Sequence, residues 1–177
     1  MVHQVVFRAK ARKTAPMTAD APGYELPLLL VGAFRALIDE LHAELATLGH
    51  PEARPLHGFA LQAVGPDGVT ISELGRRLGV TKQAAAKTAA TLEGLGYVER
   101  APDPDDQRAW RITRTTRGDD LLERSAECFE RLRATWVATL GGDRVRALEK
   151  DLRTMVAAAG GPKLGDLPGW LHDPGRS

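Results

Sequence analysis

The chain has little of several features that would mark a particular class of protein. It has a single cysteine among its 177 residues, which excludes an intrachain disulfide framework. No apolar run approaches the roughly 20 residues that cross a bilayer, and the N-terminus lacks the long apolar stretch of a secretory signal. We therefore expect a cytoplasmic protein without a membrane partner. The formal net charge is only +1, so composition alone does not indicate a polyanion partner.

Several chemistries are missing as well. The five histidines are scattered without the spacing of metal ligands, so no metal site is expected. The sequence contains no glycine-rich phosphate loop and no nucleophile with a nearby base, so we expect neither an enzyme nor a cofactor. The aspartates at 103, 105 and 106 lack the spacing of a calcium loop, and turn chemistry accounts for them. Cys128 lies on a leucine-rich face, which favours core packing over a redox sensor.

The most informative segment, residues 69–118, contains the parts of a winged helix-turn-helix in order. Thr70, followed three residues later by Glu73, has the pattern of a capping box at the start of a helix. Gly79 ends this helix, because glycine adopts a positive φ without steric cost. Thr81 is then placed to cap a second helix. Two helices joined by so short a turn are typical of proteins that read DNA.

The second helix is predicted over residues 82–95 and has two unlike faces. Its inner face is apolar, and its outer face carries small alanines flanked by hydrogen-bond donors. Small side chains suit a helix that enters a major groove roughly 12 Å wide. We expect this helix to contact double-stranded DNA through Thr81, Lys82, Gln83, Ala84, Ala86 and Lys87.

A hairpin with a tip rich in proline and aspartate follows this helix. Its first strand begins at Tyr97, and its returning strand contains Trp110. Arg108 lies just after the tip, where an arginine suits the narrow, electronegative minor groove of A·T-rich DNA. Asp106 lies two residues earlier on the same strand face, within reach of a bidentate pair that would orient the guanidinium. We therefore expect Asp106 and Arg108 to act together on DNA.

The chain resembles the MarR family of bacterial transcription regulators in two stretches, TISELGRRLGVTKQAAAKTAATLEGLGYVER and DPDDQRA. The resemblance covers roughly residues 25–158. It implies a mainly α fold with a small β-wing, in which a winged helix-turn-helix is flanked by N- and C-terminal dimerisation helices. It also implies that Asp106 and Arg108 are the wing pair and that the recognition-helix positions are Gln83, Ala84, Ala86 and Lys87.

Three positions depart from the pattern of that family. Gly75 stands where an alanine is usual, which costs about 1 kcal/mol of helix stability. Gln107 replaces a frequent basic residue, which removes one contact with DNA. Arg114 stands where the strand usually has an apolar residue. None of these departures changes the predicted fold.

The rest of the chain divides into helical flanks and two termini. We expect residues 1–24 to form a flexible basic arm, with DNA contact as its alternative role. Residues 25–68 are expected to be helical and to contribute to dimerisation and to the lobe junction. Residues 119–160 are expected to form the C-terminal dimerisation helices and 161–177 a tail. Both helical flanks have apolar stripes that are wider than the small winged helix-turn-helix alone could cover. We therefore predict a homodimer, in which a second copy covers the rest.

The predicted function is that of a DNA-binding transcription regulator, a repressor that acts as a homodimer on a palindromic operator. The resemblance implies a small aromatic or phenolic effector, with Phe34, His57 and Trp136 as candidate contacts. Core packing is the alternative role for Phe34 and Trp136, and a surface position at a helix start is the alternative for His57. The alternative function is a winged-helix protein-interaction module without sequence-specific DNA binding, which the low net charge and the alanine-rich helix favour.

Overall fold

A computed structural model of the chain describes residues 22–103, 110–158 and 160. In chain order, this part contains α1 (Glu25–Thr47), α2 (Pro55–Val64), β1 (Val69–Thr70), α3 (Ile71–Leu78), α4 (Lys82–Gly94), β2 (Val98–Pro102), β3 (Trp110–Arg114), α5 (Thr116–Leu140) and α6 (Gly142–Ala158). The predicted fold class, mainly α with a small β-wing, is confirmed. None of the described helices is long and apolar enough to span a bilayer.

The chain divides into two units, residues 1–34 and 35–177. The described part of the first unit is residues 22–34, which contain the start of α1. Its first turn is stabilised by Glu25, since an acidic side chain near a helix N-terminus complements the helix dipole. The unit exposes a continuous set of large apolar side chains, namely Tyr24, Leu26, Leu28, Leu29, Leu30 and Val31.

The second unit packs helices α2, α3, α4 and α5 against a three-stranded antiparallel sheet with the strand order β1-β3-β2. Val69 and Arg100 both face Ile112 in the register, so β3 is the central strand. The core of the unit is apolar and includes Leu61, Val64, Leu74, Leu92, Ile112 and Leu121, each at most 1% exposed. Strand β1 was not predicted, because two residues are too few for an alternating pattern to show.

The start of α5 differs from the sequence prediction. Helix α5 was expected to begin at Asp119, but it begins at Thr116, because the hydroxyl of Thr115 accepts a hydrogen bond from the Gly118 backbone N–H at 3.2 Å. In α6, Asp143 lies inside the first turn, although an aspartate at such a place also suits an N-cap. An acidic residue stabilises either position, so sequence alone does not separate the two.

Candidate nucleic-acid interface

Local capping builds the helix-turn-helix. The hydroxyl of Thr70 accepts a hydrogen bond from the Glu73 backbone N–H at 3.2 Å, and the hydroxyl of Thr81 accepts one from the Ala84 N–H at 3.2 Å. Gly79 ends α3 in the left-handed region, with a φ of 67°. Both helices therefore begin, and α3 also ends, at the residues whose chemistry predicts it.

Gly75 lies on the side of α3 that packs against the turn and the start of α4. A Cβ added at this position would lie 3.1 Å from the carbonyl oxygen of Val80 and 3.5 Å from the Cβ of Ala85. The absence of a side chain therefore lets the turn approach α3 closely. This packing offsets part of the helix propensity that glycine costs, so the departure from the family pattern has a structural reason.

Helix α4 separates its residues by face. Ala85, Ala89 and Leu92 are buried against the rest of the unit. The exposed side chains of the opposite face, together with the capping residue, are Thr81, Lys82, Gln83, Ala84 and Lys87, while Ala86 is half-buried. All the recognition-helix residues named from the sequence thus lie together on one side of α4, and their contact with DNA stays a prediction.

Within the described residues of the winged helix-turn-helix, most cations are held by carboxylates. Ion pairs within the unit hold Arg76 and Arg77 on Glu73, Arg100 on Glu93, Arg111 on Asp103 and Arg114 on Asp119. Hydrogen bonds from Arg76 and Arg77 lower the pKa of Glu73 to about 2, so this carboxylate stays ionised. Among the residues that the structure describes, Lys82 and Lys87 form no ion pair. Their charges remain available to phosphates.

The base of the wing is fixed by Arg111. Its Nε lies 3.4 Å from Oδ2 of the buried Asp103, and its Nη1 donates to the backbone carbonyl of Asp67 at 2.9 Å. These contacts tie β3 to the loop before β1. The predicted wing pair, Asp106 and Arg108, lies outside the described residues.

Arg114, the third departure from the family pattern, connects three elements. Its Nη1 donates to the carbonyl of Leu61 near the end of α2 at 3.4 Å. Its Nε lies 2.7 Å from Oδ1 of Asp119 in the first turn of α5. An arginine at the end of β3 therefore replaces apolar packing with polar contacts to both neighbouring helices.

His57 is buried, with 8% of its surface exposed, which corrects the alternative of a surface position. Its Nδ1 is buried and has no hydrogen-bond partner within the described residues. Burial lowers the pKa of His57 to about 4, and the charges of Arg54 and His42 act in the same direction. His57 lines a groove of about 260 Å³ between α2 and α4, which also contains Ala84 and Lys87 of the recognition face.

Phe34 is half-buried in the first unit, and Trp136 is half-buried near the end of α5. Trp136 is not among the described residues that line the groove at His57. The structure therefore does not bring Trp136 together with His57.

A second cavity, of about 50 Å³, lies among α1, α2 and α5. His42 and Arg54 line it together with apolar side chains such as Phe59 and Phe129. The Nε2 of His42 is buried without a partner within the described residues, and burial lowers the pKa of this histidine. Sequence reasoning missed His42, and its place between Leu41 and Leu45 on the apolar stripe of α1 was the available signal.

The buried histidine predicts a specific dependence of stability on pH. The folded-state pKa of His57, about 4, lies below the ordinary 6.5. The unfolded chain therefore binds more protons between these values, and stability falls as the pH falls through this window. Between about pH 7 and about pH 4.5, His57 should lower the free energy of unfolding by about 2 kcal/mol.

Urea unfolding at these two pH values checks this effect. The variant His57→Gln keeps a polar side chain but does not titrate, so its stability should depend less steeply on pH than that of the parent chain. Identical pH dependences for the two proteins would show that His57 does not stay neutral in the folded state.

Cys128 is buried, and its thiol donates to Oε2 of Glu44 at 3.1 Å. Burial raises the pKa of this thiol, and the charge of Glu40 acts in the same direction. A neutral, buried thiol is a packing group and not the exposed thiolate that a redox sensor requires.

A short helix, a tight turn, a second helix with a polar outer face and an antiparallel wing define a winged helix-turn-helix protein. Residues 59–109 match the model of the MarR family. This match agrees with the resemblance drawn from the sequence, and the segment is similar to the winged helix-turn-helix of the MarR family. Members of this family are transcriptional regulators and not enzymes.

Several solved structures are similar to this chain in fold. The apo form of wild-type MarR from E. coli is 24% identical, covers 74% of this chain and 96% of its own, and has a TM-score of 0.57. The transcriptional regulator Tm0710 from Thermotoga maritima is 24% identical, with coverages of 76% and 94% and a TM-score of 0.53. FabT from Streptococcus pneumoniae, solved in complex with DNA, is 16% identical, with coverages of 77% and 96% and a TM-score of 0.66. Curated protein sequences give no significant match.

Proposed function

We propose that this chain is a transcription regulator that binds double-stranded DNA as a homodimer. It represses from a palindromic operator, and a small-molecule effector sets its affinity. The observation that supports this function best is the exposed face of α4, where Lys82 and Lys87 stand among small side chains and form no ion pair within the described residues. The similar structure of FabT, which holds DNA, supports the same use of the fold.

Selection of DNA by the purified chain tests this proposal. A randomised pool of duplexes is passed over the immobilised protein, and the retained duplexes are sequenced and measured by fluorescence anisotropy. A regulator should enrich a palindrome, because the two-fold symmetry of a dimer is mirrored in its site. A protein-interaction module with the same fold, which the low net charge of the chain and the alanine-rich α4 favour, should enrich no sequence.

The homodimer rests on apolar side chains that each unit leaves exposed. The first unit exposes the apolar set of residues 24–31, and α6 exposes Leu148, Met155 and Val156. A folded monomer rarely exposes so many large apolar side chains along its terminal helices. A second copy of the chain covers such faces when the interface is isologous.

Sedimentation at micromolar concentration should therefore give about twice the chain mass of 19.1 kDa. Introducing a charge with Met155→Glu, at a side chain that is 55% exposed, should dissociate the dimer. The matched variant Thr154→Glu adds the same charge at the exposed neighbouring position and should leave the dimer intact. A parent chain that sediments as a monomer would contradict the interface.

The wing pair gives a separate prediction. Arg108→Ala should weaken operator binding by about 1–3 kcal/mol, because it removes an arginine from the minor groove. Asp106→Ala should also weaken binding, although removing an acid normally strengthens binding to a polyanion. The two losses should not add, since Asp106 has nothing to orient once the arginine is absent.

The control for the wing pair is Asp105→Ala, which removes the same charge from the same tip. Anisotropy titrations should show slightly tighter binding for this variant and weaker binding for Asp106→Ala. Equal tightening by both variants, with unchanged binding by Arg108→Ala, would show that the wing tip does not contact DNA.

For the effector, we propose a small aromatic or phenolic molecule. Of the candidate contacts Phe34, His57 and Trp136, His57 has a buried nitrogen without a partner within the described residues, and His42 is added for the same reason. A neutral histidine nitrogen in an apolar wall suits a phenolic hydroxyl, which both donates and accepts hydrogen bonds. Phenol and benzoate series, tested for release of the selected duplex, are the appropriate probes.

A further inference from the structure

Three segments that are distant in sequence meet at one partly buried joint, which we define by His50, Tyr97, Arg117 and Asp120. Tyr97 is fully buried at 0% exposure, and His50 is 2% exposed. His50 follows α1, Tyr97 precedes β2, and the other two residues lie in the first turns of α5. The joint therefore lies between α5 and the winged helix-turn-helix of residues 69–118, the proposed DNA-binding lobe.

A line of hydrogen bonds runs through the joint. His50 Nε2 lies 2.9 Å from Oδ2 of Asp120, and His50 Nδ1 lies 3.2 Å from the hydroxyl of Tyr97. The hydrogen bond with His50 lowers the pKa of Asp120, so this carboxylate is ionised and only accepts. Nε2 of His50 therefore donates to Asp120, and Nδ1 accepts from the Tyr97 hydroxyl.

Arg117 closes the other side of the joint. Its Nη2 donates to the carbonyl of Gly49 at 3.0 Å, and its Nε donates to the carbonyl of Leu95 at 3.3 Å. The guanidinium carbon lies 5.1 Å from the centre of the Tyr97 ring, within the range of a cation–π contact. One arginine thus joins the end of α1, the end of α4 and the start of α5.

The backbone of α5 is fixed at the same place. The hydroxyl of Thr115 donates to the carbonyl of Gly96 at 2.6 Å, and the Thr115 N–H donates to the carbonyl of Tyr97 at 3.1 Å. A Cβ on Gly118 would lie 2.2 Å from that carbonyl oxygen. Rotation of α5 against the turn between α4 and β2 would break several of these contacts at once.

We infer that the joint positions the DNA-binding lobe on α5 and thereby sets the spacing between half-sites that the dimer accepts. This inference rests on the proposed function, because it requires a dimer that α5 helps to form. One added base pair moves a half-site by about 3.4 Å and turns it by about 35°. A rigid joint keeps the DNA-binding lobe from reaching a half-site that is displaced in this way. A loosened joint lets the lobe move to the displaced half-site. His50, Tyr97 and Asp120 are therefore positioning residues for DNA binding.

The experiment measures spacing preference rather than affinity alone. The palindrome that the parent chain selects is resynthesised with one base pair removed from its centre and with one or two added. A duplex with a single half-site is included, and anisotropy gives each affinity at one salt concentration. The parent chain should bind the native spacing best.

Asp120→Ala should reduce the preference for the native spacing by about tenfold while changing single half-site binding by less than about twofold. Glu123→Ala is the matched control, because it removes the same charge from an exposed position on the same helix. It should keep the spacing preference of the parent. Asp120→Asn retains an acceptor oxygen for His50 and should restore most of the preference.

Oδ1 of Asp120 also lies 3.3 Å from Nε of Arg124. A second variant therefore separates the contact of Asp120 with His50 from its contact with Arg124. Tyr97→Phe removes only the hydroxyl that donates to His50 and should loosen the spacing preference in the same way. Thermal unfolding followed by circular dichroism shows whether each variant is folded. If Asp120→Ala does not fold, the spacing preference of Tyr97→Phe tests the inference.

Two results would overturn the inference. The first is an unchanged spacing preference in both folded variants, and the second is a parent chain that binds every spacing equally. A parent chain that selects no DNA sequence at all would instead contradict the proposed function. The two failures are therefore distinguishable.

Discussion

Replacing Gly118 by alanine should lower the free energy of unfolding by about 2–4 kcal/mol. The added Cβ would lie 2.2 Å from the carbonyl oxygen of Tyr97, a distance that real atoms do not tolerate. Because the contact is with backbone, no side chain can rotate away. The first turn of α5 is also held by the Thr115 cap, so the helix must shift as a whole. The gain in helix propensity, about 1 kcal/mol, is smaller than this cost.

Gly94→Ala is the matched control for this prediction. Gly94 is the exposed last residue of α4, and a Cβ there would meet nothing within 4 Å. The same substitution should therefore raise the free energy of unfolding, by up to about 1 kcal/mol. Urea titrations of the three proteins measure both effects. A Gly118→Ala protein as stable as the parent would show that α5 is not seated against Tyr97.

Removing both lysines of α4, as Lys82→Ala with Lys87→Ala, should weaken DNA binding about a hundredfold or more at moderate salt. Each lysine–phosphate contact that is lost lowers the number of counterions released on binding by about 0.9. A dimer would lose about four such contacts, so the slope of log affinity against log salt concentration should become shallower by that amount. The effect should be nearly equal for operator and random duplexes, because phosphate contacts do not read sequence. Anisotropy titrations over a salt series measure both quantities.

Arg100→Ala is the control for the lysine pair. This arginine belongs to the same lobe, but its Nε lies 2.9 Å from the carboxylate of Glu93. Since its charge is already matched, its removal should change the salt dependence less than removal of either lysine. Equal effects of Arg100→Ala and Lys87→Ala would show that net charge, and not the recognition helix, governs binding.

The two sets of predictions address different parts of the molecule. The lysines act at the surface that would meet DNA, whereas Gly118 and the joint around Tyr97 act behind that surface. Loss of a lysine should lower affinity without changing the spacing preference. Loss of the Asp120 contact should change the spacing preference without much loss of half-site affinity. Comparing these variants separates contact with DNA from the positioning of the lobe that makes the contact.

Sequence alone determined the features that depend on neighbouring residues. The caps at Thr70 and Thr81 and the left-handed Gly79 follow from hydrogen bonds and steric freedom within a single turn. The two faces of α4 follow from the helical period, which places Ala85, Ala89 and Leu92 inward. These signals act over a few residues, so no knowledge of the fold is needed to see them.

Only the tertiary structure decided which polar groups are paired and which are buried. His50 meets Tyr97 and Asp120 from 47 and 70 positions away, and no sequence pattern indicates either contact. The same holds for strand β1, which exists because Val69 pairs with Ile112. The burial of His57 and the neutralisation of the arginines of the lobe also depend on which elements pack together. Burial and pairing are set by contacts between segments that are distant in sequence. The residue types that flank a polar side chain do not indicate which distant residue it will meet.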